Sequence, residues 1–214
     1  MLALLHVSRT YLLVGDCAGA RTALNELSAL ADEKDSAMWR ASEIKERGKL
    51  LALNGESTDA IHMLTLGMAA ARSSGNEFFV PEYLSHLAGA HADLGKIDDA
   101  TRCIRDALTM IDETKENVWE AEANRMAGEI ALKSSQRDET KAQAYFERAL
   151  EVARQQQAKS LELRAAMSMA RLWRDQGKRV EARELLAPVY GWFTEGFDTH
   201  DLKEAKALLD TLAL

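Results

Sequence analysis

Three arginines, Arg164, Arg171 and Arg174, stand seven and three residues apart. That spacing keeps their guanidinium groups on one side of a helix, where two-pronged donors suit a carboxylate or a phosphate. Searches for a reactive set to go with them come back empty. The sequence has no GxxxxGKS/T phosphate loop, no GxGxxG after a strand, no GxSxG elbow and no HExxH pair. His86 and His91 lie five residues apart, about 140° around a helix, so they cannot share a metal as an i, i+4 pair would. His91 reads instead as a core histidine satisfied by one hydrogen bond. Asp98-Asp99 and Asp112-Glu113 fall at helix ends, where carboxylates complement the helix dipole. Cys17 and Cys103 have no CxxC spacing and no histidine at ligand distance, which implies neither a disulfide framework nor a zinc site. No metal, no cofactor and no catalytic activity are expected.

Composition says what must position such residues. The chain has 214 residues, 47% apolar, 29% charged and 6% aromatic, with two prolines. Ala, Leu, Glu, Lys, Arg and Met dominate over Val, Ile and Thr, so helix is favoured almost throughout and a sheet enzyme is disfavoured. The net charge of -7 argues against nucleic acid as a partner. Ten of the first fourteen residues are apolar, but His6, Ser8, Arg9 and Thr10 break a run far shorter than the roughly 20 residues that span a bilayer. No charged segment precedes it and no small-residue cleavage site follows, so a signal peptide is not expected either. A cytoplasmic protein without a membrane partner is the reading.

The helices repeat. Gly15, Gly55 and Gly95 fall 40 residues apart, each followed five residues later by Ala20, Ala60 and Ala100; the series continues at Ala142 and Ala182, and the glycine returns at Gly177. Four residues beyond each alanine stand Leu24, Leu64, Ile104, Phe146 and Leu186, and three beyond those Leu27, Gly67, Ala107, Ala149 and Val189. Steps of four and three trace one helix stripe. A second amphipathic stretch precedes each glycine in phase. Each unit is therefore predicted to be helix, tight turn, helix, with small residues where the two helices cross. Trp39, Phe79 and Trp119 repeat at the same interval and read as packing against the preceding unit.

On these residues the chain resembles the tetratricopeptide repeat (TPR) family. Ser8, Tyr11, Gly15, Ala20 and Leu24 match its pattern in the first unit, Ala88, Gly95, Ala100, Ile104 and Ala107 in the third, and Gly128, Ala142, Phe146 and Ala149 in the fourth. Arg47 and Asn124 depart from it where apolar residues are usual, His91 replaces its aromatic, and the fourth turn carries two extra residues between Ser134 and Thr140. The resemblance implies an all-α fold, a right-handed superhelix of five hairpins over about 1–35, 36–76, 77–116, 117–159 and 160–197, closed by a capping helix over about 199–213. Ser36, Asn117 and Ser160 are placed to cap the helices that follow them, and Pro81 fits a first helical turn.

The ends differ. After the last unit, Tyr190, Trp192, Phe193 and Phe197 precede a helix whose Leu202, Leu208, Leu209 and Leu212 face inward. At the other end, Leu2, Leu5, Leu12 and Leu13 are apolar where a terminal surface should be polar. They are candidates for self-association, as a homodimer through the first repeat or by contact with a preceding domain. The run APVYGWFTEGFDTHDLKEAKALLDTL from Ala187 to Leu212 also resembles the C-terminal region of bacterial signalling proteins that carry a class III nucleotide cyclase or winged-helix domain followed by a predicted ATPase module.

In the resembled family, positions 2, 5, 9, 12 and 13 of each first helix line a concave groove. Repeats two to five place Lys45, Lys49, Arg125, Lys133, Arg164, Arg171 and Arg174 there against Glu82, Asp93, Glu122, Glu129 and Asp175, a positive bias in an acidic chain. The resemblance thus implies a non-catalytic interaction or sensing module whose groove takes a protein segment, a peptide or a small anionic effector. The same charges would also serve as ordinary helix charges paired along neighbouring helices.

Overall fold

Helices flank each repeated glycine. In the computed structural model, which describes residues 1–73 and 79–213, they are α1 (Leu2–Val14), α2 (Cys17–Glu33), α3 (Ala37–Leu53), α4 (Ser57–Ser73), α5 (Val80–Asp93), α6 (Ile97–Thr114), α7 (Glu120–Lys133), α8 (Glu139–Gln155), α9 (Lys159–Asp175), α10 (Arg179–Tyr190) and α11 (His200–Leu212). No strand occurs among the described residues. The repeat boundary expected at 76–77 lies outside them.

The turns within hairpins use one device. Gly15, Gly55, Gly95 and Gly177 adopt φ between 73° and 81°, the left-handed region that glycine enters without a Cβ clash. Each glycine N–H donates to the carbonyl three residues back, and the next N–H reaches the carbonyl five back, as in Glu56 to Leu51 at 2.9 Å and Lys178 to Trp173 at 2.8 Å. Orphan carbonyls at the helix end are thereby satisfied. In the fourth hairpin the two extra residues shift the left-handed position to Arg137 (φ 39°), and Asp138 N–H returns to Ala131 at 3.2 Å.

Small residues sit where the first and second helices cross. A Cβ placed on Gly48 would fall 2.8 Å from Leu64 Cγ, and one on Gly128 would fall 2.6 Å from Phe146 Cδ1. The missing side chain lets Leu64 and Phe146 seal the crossing, both with no exposed surface. Arg47 and Asn124, polar at usually apolar positions, are satisfied locally: Arg47 by Glu43 at 2.6 Å and Asn25 at 3.1 Å, Asn124 by the Glu120 carbonyl at 2.8 Å.

Helix starts depart from expectation. Ser36 sits at the N-cap of α3 without a side-chain bond, Asn117 lies in a 3-10 turn over Asn117–Trp119 ahead of α7, and Ser160 is inside α9. The capping side chains are Asp16, accepting from Gly19 N–H, and Asp138, accepting from Lys141 N–H, both at 2.9 Å. Pro81 occupies the first turn of α5 as expected.

The chain divides into two compact units, Met1–Ala107 and Leu108–Leu214. In the first, Leu12, Leu24, Leu27 and Leu50 form a buried cluster with Met1, Leu4, Leu5 and Trp39 packed against it. In the second, Phe146, Leu163, Met169, Leu172 and Leu186 are joined by Leu202, Leu208, Leu209 and Leu212 of α11, which closes that core.

Candidate functional site

Within the N-terminal unit, the first helices of three successive hairpins bring charged side chains together. Arg9 of α1 donates from Nε to Glu46 Oε1 of α3 at 2.6 Å, and from Nη2 to Glu82 Oε2 of α5 at 3.0 Å and to Tyr83 Oη at 3.2 Å. Tyr83 donates its hydroxyl to Glu46 Oε1 at 2.6 Å, and Lys49 Nζ donates to Glu82 Oε1. Two aromatic faces close the cluster: Phe79 lies 4.2 Å from the Arg9 guanidinium carbon, and Tyr83 lies 4.7 Å from Lys45 Nζ. Phe79 holds φ at 62°, a strained conformation for an aromatic residue. Lys45, Glu46, Lys49, Glu82 and Tyr83 are each less than 5% exposed.

Burial and pairing compete there. Burial pulls the Arg9 guanidinium down, but Glu46, Tyr83 and Glu82 together raise it further, so it stays charged. Burial pushes the Glu82 carboxyl up, with Lys49 and Arg9 opposing and Glu46 adding to it. Burial and the Glu46 carboxylate hold the Tyr83 phenol well above its ordinary value. The Lys45 ammonium is pulled down by burial and by Arg9, against Glu46 and Glu82.

In the C-terminal unit Arg125, Arg164, Arg171 and Arg174 each meet a carboxylate. Arg125 forks onto Glu122 at 2.6 and 2.9 Å and lies 3.6 Å from Glu129, which accepts the Ser168 hydroxyl at 2.6 Å. Burial lowers the Arg125 guanidinium, and Glu122 more than restores it. Arg164 meets Asp201 at 2.6 Å and Arg171 meets Glu204 at 3.2 Å, both carboxylates from α11. Arg174 pairs with its neighbour Asp175 at 2.9 Å, and Lys133 is exposed in the last turn of α7.

Of the seven predicted residues, Lys45 and Lys49 thus converge in one unit, while Arg125, Arg164 and Arg171 share the α7, α9 and α11 set of the other. The structure adds charged neighbours from outside the assumed groove positions. Arg9 joins the cations and Glu46, Asp201 and Glu204 join the anions, bringing both to eight. Sequence reasoning missed these partners. Arg9 was legible, since it occupies the same register as Lys49; Glu46 and Tyr83 lie one position outside the assumed groove register.

The self-association candidates divide as well. Leu12 is 3% exposed in the first core and Leu5 packs against that core, because α1 turns this side toward α2 and α3. Leu2 (57%) and Leu13 (45%) stay outside with Val7 and Val14. His91 Nδ1 is buried without the expected hydrogen bond among the described residues, 4.0 Å from Asp99 Oδ2. No group of three His, Cys, Asp or Glu among the described residues is arranged to hold a metal ion, and no described helix is long and apolar enough to cross a membrane.

No family model matches the chain, and no curated protein matches it in sequence. Solved structures do match in fold. The apo form of the quorum sensor NprR from B. thuringiensis is 13% identical with a TM-score of 0.66 over 99% of this chain, which spans 58% of that longer chain. A kinesin light chain with nearly identical TPR-like repeats from Podosopora anserina is 18% identical, TM-score 0.58, over 88% of this chain and 92% of its own. MamA is 17% identical, TM-score 0.50, over 97% and 96%. The fold is all-α and TPR-like.

Proposed function

We propose that the chain is a non-catalytic interaction or sensing module whose first helices carry the ligand face, taking an acidic protein segment, a peptide or a small anionic effector. The observation that carries this reading is the way ionic groups tie first helices to their neighbours, Arg9 to Glu46 and Glu82 in one unit, Arg164 and Arg171 to α11 in the other. A ligand carboxylate that competes for such an arginine changes how tightly adjacent helices are held, which is a route from binding to conformation. Arg171 and Arg174 are the accessible competitors, each with 37% of its side chain exposed.

The test uses a fluorescein-labelled hexaglutamate peptide and the full chain. Arg171→Gln with Arg174→Gln removes both guanidinium charges without setting like charge against Glu204 and Asp175. Binding is expected to weaken at least tenfold with an unchanged melting temperature; equal affinity in the double variant removes the reading's support. The likeness of the run from Ala187 to Leu212 supports a place in a bacterial signal-transduction protein of the cyclase or winged-helix and ATPase type. A second reading, pairing of two copies through α1, is favoured by exposed Leu2, Val7 and Val14. Sedimentation that is the same for the parent and for Leu2→Lys with Val7→Lys overturns it.

A further inference from the structure

Where α8, α9 and α10 pack in the C-terminal unit, they leave a hollow of about 460 Å³ between the fourth hairpin and the fifth. Leu150 of α8, Met169 and Trp173 of α9 and Leu185 of α10 are its apolar lining. Leu150 and Met169 are buried, whereas Trp173 and Leu185 keep part of their surface open. Met169 and Trp173 are one helix turn apart, and each stands about 160° around α9 from Arg171, so the hollow is separate from the ligand face proposed above. Its size falls within the roughly 300–1,000 Å³ of small-molecule pockets.

The rim is charged along one face of α8, where Glu147, Glu151 and Gln155 recur every four residues with Arg154 beside them. Two carboxylates against one guanidinium leave it one charge negative. The partners of these groups do not alter that balance, since Glu120 and Glu162 add two anions and Arg148 and Lys159 two cations. Arg154 is held by Glu162 at 2.9 Å, and Glu151 takes Arg148 at 2.8 Å and Gln155 at 3.2 Å. Glu147 accepts the Gln143 amide at 2.9 Å and, among the described residues, has no cation within ion-pair distance.

We propose that this hollow binds a small organic ammonium ion with an aromatic body, the body against Leu150, Met169 and Leu185 and the cation drawn to Glu147. Burial of the hydrocarbon supplies most of the binding, and the solvated charge at the rim adds a modest factor that selects a cation over an anion of the same shape. The indole of Trp173 works in the same direction, because an aromatic face attracts an ammonium. Since the lining comes from two hairpins, a bound ligand stabilises their packing together.

The experiment is isothermal titration calorimetry of the full chain at pH 7 with 2-(1-naphthyl)ethylammonium. The controls are 2-(1-naphthyl)ethanol, which lacks the charge, 1-naphthaleneacetate, which reverses it, and ethylammonium, which lacks the body. The naphthyl ammonium is expected to bind about fivefold tighter than the alcohol, the carboxylate more weakly than the alcohol, and ethylammonium not measurably. Glu147→Gln, at an exposed position, makes the rim neutral and should bring the three naphthyl ligands to within about twofold of one another. On the parent itself, 15N-labelled at tryptophan, the naphthyl ammonium should shift the Trp173 indole resonance, assigned by its loss in Trp173→Phe, and leave those of Trp39 and Trp119 in place. That readout stands whatever the Glu147 variant does. Equal affinity of the parent for the ammonium and the carboxylate, a preference retained in Glu147→Gln, or an unmoved Trp173 resonance overturns the site. The anion-taking reading is tested separately by hexaglutamate, whose affinity should be the same for the parent and Glu147→Gln.

Discussion

His91 shows how one side chain can set a pH limit on this fold. It stands where the repeat pattern calls for an aromatic, half-buried, and burial holds its imidazole below the ordinary value, with Asp99 opposing at 4.0 Å. A base whose folded value is lowered binds its proton more readily when unfolded, so stability falls as pH drops below about 6.5 and is constant above it. His91→Phe should abolish that acid-side loss and raise the melting temperature at pH 5.5 more than at pH 8. Parallel curves for the two proteins would exclude His91 as the cause. The same scale shows what was legible in the sequence. Charge type and helix side could be read for Lys49 and Arg164, but their pairings could not, because Glu82 and Asp201 arrive from helices more than thirty residues away. Leu12 was misread for a related reason: its neighbour in the core is Leu50, and a single helix does not reveal which of its sides the next hairpin covers.

At the scale of elements, two kinds of joint alternate. Turns inside every hairpin but the fourth put glycine in the left-handed position, whereas joints between hairpins put Asp35 (φ 47°), Lys115 (φ 57°) and Gln157 (φ 55°) there. An ordinary L-residue pays about 1–2 kcal/mol in that conformation, and glycine costs about 0.5–1 kcal/mol of chain entropy. Gln157→Gly should therefore stabilise the protein by about 0.5 kcal/mol or more, seen as a higher urea midpoint with unchanged slope. The helix crossings respond oppositely. With Phe146 against the Gly128 backbone, Gly128→Val should cost about 1–3 kcal/mol by overpacking, and a midpoint within error of the parent would show that the ring can swing away. Glycine and alanine spacing made the hairpins readable in advance. Capping was not, since Ser36 and Asn117 satisfy the pattern and Asp16 and Asp138 make the bonds.

For the molecule as a whole, the division into two units follows from a topology in which stability is shared between neighbours in sequence. A lesion should then spread only locally. Gly48→Val, aimed at Leu64 in the N-terminal unit, should speed amide exchange through α3 and α4 while α8, α9 and α10 keep their protection. Uniform loss along the chain would show a single cooperative unit. The forty-residue period made the order of helices readable from end to end, but no pattern in it marked a division inside α6. The joints at Asp35 and Gln157 carry a consequence for inheritance. Each is closed by a main-chain bond, Ser36 N–H to the Ala31 carbonyl and Ala158 N–H to the Ala153 carbonyl, and spanned by an ion pair, Arg40 to Asp32 and Arg154 to Glu162, all at 2.9 Å. Such a joint carries its whole fastening within one short stretch of chain, so a recombination that copies or deletes one forty-residue unit is expected to deliver the chain to its next hairpin correctly aimed when that stretch is kept whole. Copy number is then restrained wherever a side chain ties one unit to another, as Arg9 does to Glu46 and Glu82 and as Arg164 does to Asp201.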